Sequence, residues 1–151
     1  MHRDLVSAAA VVATACSPAE PSDAVCPEPS GFVNHGCGEI VGAVTDRRGA
    51  PVTSGYAGWF RSERDANVVG EPVVIQPDGR FRYRVWRWGE PAAGPDTVSG
   101  IVHASTRVLV GVPARDTTVT GTGRVVARLA PPGAVPPVTD VGTIVIPLPP
   151  P

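Results

Sequence analysis

Turn-forming residues punctuate this sequence so often from Gly38 onward that long helices have no room to form. The 151 residues include 18 Pro and 17 Gly. Pro removes a backbone donor and fixes φ, and Gly weakens the interior of a helix. Between these breaks lie short runs rich in Val and Ile, which suit a pleated, half-buried surface. No 10-residue stretch shows convincing 3.6-residue periodicity, and no internal repeat is visible. With aromatic residues at 5%, the aliphatic side chains must supply most of the core. The length suits one domain with a real core.

The runs follow one another with recognisable turns. "EIVGAVT" (39–45) leads into "DRRGAP", where Asp46 is placed to accept backbone N–H bonds and Gly49 to adopt positive φ. Pro51 is expected to start the next run, at a position that needs no ladder donor, and this second run covers about 54–61. After "SERDAN" comes "VVGEPVVIQ" (68–76), which Pro72 should confine to an edge or bulge. "QPDGR" is a tight-turn signal. "FRYRVWRW" (81–88) alternates, with Phe81, Tyr83 and Val85 on one side and Arg82, Arg84, Trp86 and Trp88 on the other. Further runs are expected near 98–104, 107–112, 118–130 and 141–148. About seven to eight strands at this spacing indicate a sandwich or small barrel.

Three of these landmarks resemble a known family. "GAVTDRRGAPV" (42–52) is similar to the Gly-x-Val-x-Asp-x-x-Gly-x-Pro-Val opening of carboxypeptidase regulatory-like, or transthyretin-like, β-sandwich domains. "PDGRF" (77–81) resembles that family's second turn-and-strand landmark, and "DVGTIVIPL" (140–148) its closing strand. The resemblance implies an all-β fold, a single Ig-like or transthyretin-like β-sandwich over 39–148. It also implies the role of an appended, non-catalytic module of an exported protein.

The N-terminus reads as a targeting signal. "MHRD" precedes the apolar run Leu5–Ala15, whose 11 residues would span roughly 16 Å as a helix, well short of the ~30 Å bilayer core. An abrupt change to Ser, Pro and Glu after the run favours a secretory signal over a buried helix. Ala13-Thr14-Ala15 satisfies the small-x-small cleavage rule, and Ala13-Thr14-Ala15-Cys16 resembles a bacterial lipobox with Ala13 where that family prefers Leu. The resemblance implies lipidation at Cys16. The expected organisation is a lipoprotein-type signal peptide over 1–15 and a flexible tether with a disulfide loop over 16–38. The domain follows over 39–148, with a Pro-rich tail at 149–151.

The chain has 3 cysteines, and in an oxidising compartment three cannot all pair within one molecule. Cys26 and Cys37 are close enough to bridge, which leaves Cys16 as the odd thiol for lipid to remove. Cys26, Cys37 and His35 would also offer ligands to a metal, but no second ligand pair follows at zinc spacing. The disulfide is therefore expected, and no metal.

Neither charge nor motifs point to catalysis. The net charge is −1 and all 13 basic residues are Arg, so no basic patch offers itself to nucleic acid. His35 and His103 are the histidines beyond the signal, and His103 sits within an ordinary apolar run. No His-x-x-Glu, Gly-x-Ser-x-Gly, Ser-x-x-Lys or phosphate-binding glycine motif occurs. No cofactor is expected. The scattered carboxylates read as turn caps and solubilising groups. One surface stands out for recognition: Arg82, Arg84, Trp86 and Trp88, residue types enriched at binding faces. Covering of the two Trp by the 89–97 loop or by neighbouring strands is the competing explanation. The sequence thus describes an exported, lipid-anchored binding or structural module of a bacterial envelope, whose partners are the membrane and an envelope protein or polysaccharide. The alternative is a soluble secreted transthyretin-like protein that binds or hydrolyses a small molecule.

Overall fold

The computed structural model describes residues 25–26, 36–63, 67–88 and 97–149. Among them there is no helix, and the fold is all-β, as the turn punctuation predicts. Eight strands are present. β1 (Gly36–Thr45), β2 (Tyr56–Ser62), β3 (Val68–Gly70) and β4 (Val73–Val74) precede the alternating strand β5 (Arg80–Arg87). A long hairpin of β6 (Thr97–Val110) and β7 (Arg115–Arg128) follows, and β8 (Val138–Val145) closes the chain.

The strands hydrogen-bond in the order β7-β6-β2-β3-β5-β1-β8, with β4 attached to β2. Every pairing is antiparallel except β1 with β8, which is parallel, Glu39 facing Val138 and Thr45 facing Val145. The sheet curls until its two ends meet. Cys37 and Ala130 exchange backbone hydrogen bonds of 3.0 and 2.8 Å. Arg128 N donates to Thr139 Oγ1 at 3.1 Å, bringing β7 against β8.

One core fills the inside of this curl. Phe81, Tyr83 and Val85 point inward from β5, as their alternation predicts, and meet Ile40 and Val44 of β1, Ile144 and the following Ile146. Ala57 and Phe60 of β2, Val98, Val102 and Ala104 of β6 and Ala127 of β7 line the other side. Gly58 shows how tightly these layers meet. It holds φ at +107° within a bulge of β2, and a Cβ there would lie 2.7 Å from the Tyr83 ring.

The turns use the expected chemistry. Asp46 Oδ1 accepts from the backbone N–H groups of Arg48 and Ala50 at 2.8 and 2.9 Å, and Gly49 takes φ +83°. Asp78 Oδ1 accepts from Arg80 N at 3.0 Å beside Gly79 at φ +81°.

Four boundaries differ from expectation, each for a physical reason. The run 68–76 does not make one edge strand: it splits around Glu71-Pro72, and its first part, β3, lies between β2 and β5. Pro72 ends the strand because it has no ladder donor. The runs 98–104 and 107–112 join in one strand that ends at Val110, since "STR" at 105–107 contains no Gly, Pro, Asn or Asp. Pro51 makes only an isolated bridge to Thr45. Finally, β1 begins at Gly36, inside the segment assigned to the tether, and Cys26 is fully buried. Ordered structure therefore reaches back before residue 39.

Candidate functional site

The outer face of β5 carries the recognition candidates, and its neighbour β1 determines their arrangement. Antiparallel register sets Cys37 opposite Trp86, Glu39 opposite Arg84 and Val41 opposite Arg82. These pairs stand on the side of the sheet away from Ile40 and Tyr83, because successive strand residues alternate faces. Arg82, Arg84, Trp86 and Trp88 do share this outer side.

Glu39 organises the cluster. Its carboxylate is buried at 3% exposure, accepts from Arg82 Nε at 2.6 Å and also contacts Arg82 Nη2. Arg84 Nε lies 3.6 Å from its other oxygen. The Arg84 guanidinium in turn sits over the Trp86 ring, 5.5 Å from the centroid, a cation–π arrangement. A carboxylate removed from water needs such partners, since an isolated buried charge is strongly unfavourable. The result is a partly compensated strip: one acid between two bases, with an indole beside them.

Trp86 is half-buried next to Cys37, and Trp88 is 38% exposed at the end of the strand. Cys37 is joined to Cys26 with Cα atoms 5.5 Å apart. The Cys26 backbone is held to the 131–134 turn, its N–H donating to Ala134 O at 2.8 Å and its carbonyl accepting from Gly133 N at 2.6 Å. Cys26 is thus fixed between Cys37 of β1 and the 131–134 turn. The 89–97 loop, whose covering role was the competing explanation, lies outside the described residues except for Thr97.

Sequence reasoning passed over Glu39, treating carboxylates as turn caps. The signal was available: Glu39 precedes Ile40 in a strand, and an acid at that position faces the outer side of β5, where arginines alternate. What the sequence did not reveal is the burial.

Other candidates separate from this face. His103 stands on β6, partly buried, opposite Thr122 on β7. Cys16 and His35 lie outside the described residues. Among the described residues no group of three or more His, Cys, Asp and Glu is placed to hold a metal. A shallow open depression lined by Glu63, Ser99, Gly100, Arg124 and neighbours contains the Arg124–Glu63 ion pair at 3.0 Å. Tyr83 is buried on the inward side of β5. Burial pushes its phenol well above the usual 10.0, and its hydroxyl makes no hydrogen bond. It faces the core rather than a cleft.

No protein-family model, no curated protein and no solved structure matches this chain, so the transthyretin-like resemblance stands on its sequence motifs alone.

Proposed function

We propose that this protein is exported and lipid-anchored through Cys16, and that it acts as a non-catalytic binding or structural module at a bacterial cell envelope. The observation that carries this reading is the Cys26–Cys37 bridge at the start of β1. Disulfides of this structural kind persist in oxidising compartments. Pairing these two leaves Cys16 without an intramolecular partner, at the end of an apolar leader and within a lipobox-like tetrapeptide. A transthyretin-like domain, as the motifs 42–52, 77–81 and 140–148 suggest, accords with an appended role.

Partner contact is assigned to the outer face of β5, with Trp88 and the exposed side of Arg82 as its accessible parts. Because Glu39 offsets one of the two arginine charges and holds both side chains in place, recognition there is by aromatic and planar stacking more than by net charge. That favours a polysaccharide or an envelope protein over a polyanion.

The test is intact-mass analysis of protein extracted from membranes. The expected species begins at Cys16 and carries thioether-linked diacylglyceryl. A water-soluble product with an unmodified Cys16, or one that retains Met1, overturns the reading.

A further inference from the structure

The β6–β7 hairpin outgrows the rest of the fold. β2 accompanies β6 only as far as the pairing of Tyr56 with Ser105, whereas β6 and β7 remain in register out to Val110 and Arg115. From Arg107 to Thr118, among the described residues, the two strands pair only with each other. A bare two-stranded ribbon is marginal in water, and polar residues throughout would suit it best. This one ends in "VLVGVPA" (108–114), seven consecutive residues without a polar side chain. Leu109 is 74% exposed, Val110 is exposed, and Val112 is fully exposed.

The placement of these side chains identifies what would cover them. Leu109 and Val110 are adjacent in one strand, so they point to opposite faces of the ribbon. Val112 lies at the turn itself. A flat protein partner or a groove would cover one face, whereas a tip that is apolar on both faces and at its end needs an environment on all sides. Charge points the same way. Arg107 and Arg115 frame the apolar residues, and only Asp116, 3.3 Å from Arg107, offsets them. From Arg107 to the turn the ribbon advances about 10 Å. That is close to the ~5–10 Å depth at which interfacial elements seat their apolar parts, with arginines left among phosphate headgroups.

We propose that the tip at 108–114 inserts into the headgroup–acyl boundary of an anionic bilayer, giving the domain a membrane contact separate from its N-terminal lipid. The inference rests on the envelope reading above for the presence of a bilayer, but its mechanism is independent of acylation.

The experiment uses the full chain carrying Cys16→Ser, which removes the acylation site, and vesicles of equal parts phosphatidylethanolamine and phosphatidylglycerol. Co-sedimentation is compared with the same chain carrying in addition Val112→Asp or Leu109→Asp. All three chains share their N-terminal segment, so the difference between them isolates the tip. Each tip substitution is expected to lower the partition coefficient about tenfold, with the melting temperature unchanged because both side chains are exposed. Phosphatidylcholine vesicles should bind the parent chain more weakly. Absence of binding by the parent, or binding by both tip variants as strong as that of the parent, overturns the inference. So does dimerisation of the parent without lipid that Val112→Asp abolishes, since that would make the occupant a second copy. Failure of the anchor is read separately, from the mass of the wild-type protein.

Discussion

Glu39 lies almost wholly buried beneath the guanidinium of Arg82, which donates to it through Nε at 2.6 Å. The two residues are 43 positions apart and meet because β1 and β5 are paired. Removing the acid would leave Arg82 and Arg84 crowded on one face without compensation. Glu39→Ala should destabilise the domain by about 1–3 kcal/mol, towards the lower end because Arg82 remains part-exposed. Glu39→Gln should cost less, since it keeps a hydrogen-bonding oxygen. Urea unfolding of the two variants checks both values. An effect below about 0.5 kcal/mol for Glu39→Ala would show that the ion pair contributes nothing net.

Tyr83 supplies a second prediction, with its sign fixed by burial. Its folded pKa is raised above the ordinary 10.0, so the native state retains the phenolic proton after the unfolded chain has begun to lose it. The corresponding stability is complete below pH 10 and is lost as pH rises beyond it, by up to about 1.4 kcal/mol per pH unit. The chain has no Lys and only 2 Tyr, which leaves few other groups titrating in that range. Tyr83→Phe should flatten the alkaline stability profile. It should also stabilise the domain by about 1 kcal/mol at neutral pH, because the buried hydroxyl has no partner. An unchanged alkaline slope in the variant would falsify this assignment.

The Cys26–Cys37 bridge closes a short loop, with a sequence separation of 11. In the chain-entropy account such a closure is worth about 3 kcal/mol. The double variant Cys26→Ser, Cys37→Ser should lose roughly that amount in chemical denaturation. Non-reducing peptide maps of the native protein should show the two peptides linked. Free alkylation of both thiols in protein taken from its native compartment would contradict the bridge.

Trp86 and Trp88 should behave differently despite sharing a face. Trp88→Ala is expected to change stability by less than about 0.5 kcal/mol while weakening retention of the partner proposed for this face. Trp86 packs half-buried beside Cys37 and under Arg84, so Trp86→Ala should cost about 1–2 kcal/mol with the β-sheet circular dichroism preserved. Global unfolding by Trp86→Ala would make that residue part of the core and remove it from the partner face.

Where local chemistry decides the outcome, the sequence was legible. The alternation of Phe81, Tyr83 and Val85 with arginines gave the inward face of β5, and Asp46 with Gly49 gave its turn, because both depend on near neighbours. Pro72 was misplaced for a different reason. A missing donor shows that a strand must stop, but not that the preceding residues lie at an edge; only the pairing of β3 with both β2 and β5 decides that. Glu39 is the sharper case. Its ion-pair partners stand on β5, some 43 positions away, a meeting of two parts of the chain that no short window contains. The reach of the β6–β7 ribbon was hidden likewise, since a strand's exposure depends on where its neighbours end.

The parallel pairing of β1 with β8 has a consequence for the order in which the domain can be completed. Glu39 meets Val138 and Thr45 meets Val145, contacts separated by about a hundred positions, so this part of the sheet has a high contact order and forms slowly compared with the hairpins. A chain still emerging during synthesis can zip β6 to β7 early, yet β1 keeps an unpaired edge until β8 has arrived. Over that interval Ile40 and Val44 lack the cover of Ile144 and Ile146, and the open edge is a template for pairing with another chain. Products truncated before residue 138 should therefore aggregate rather than fold as smaller domains.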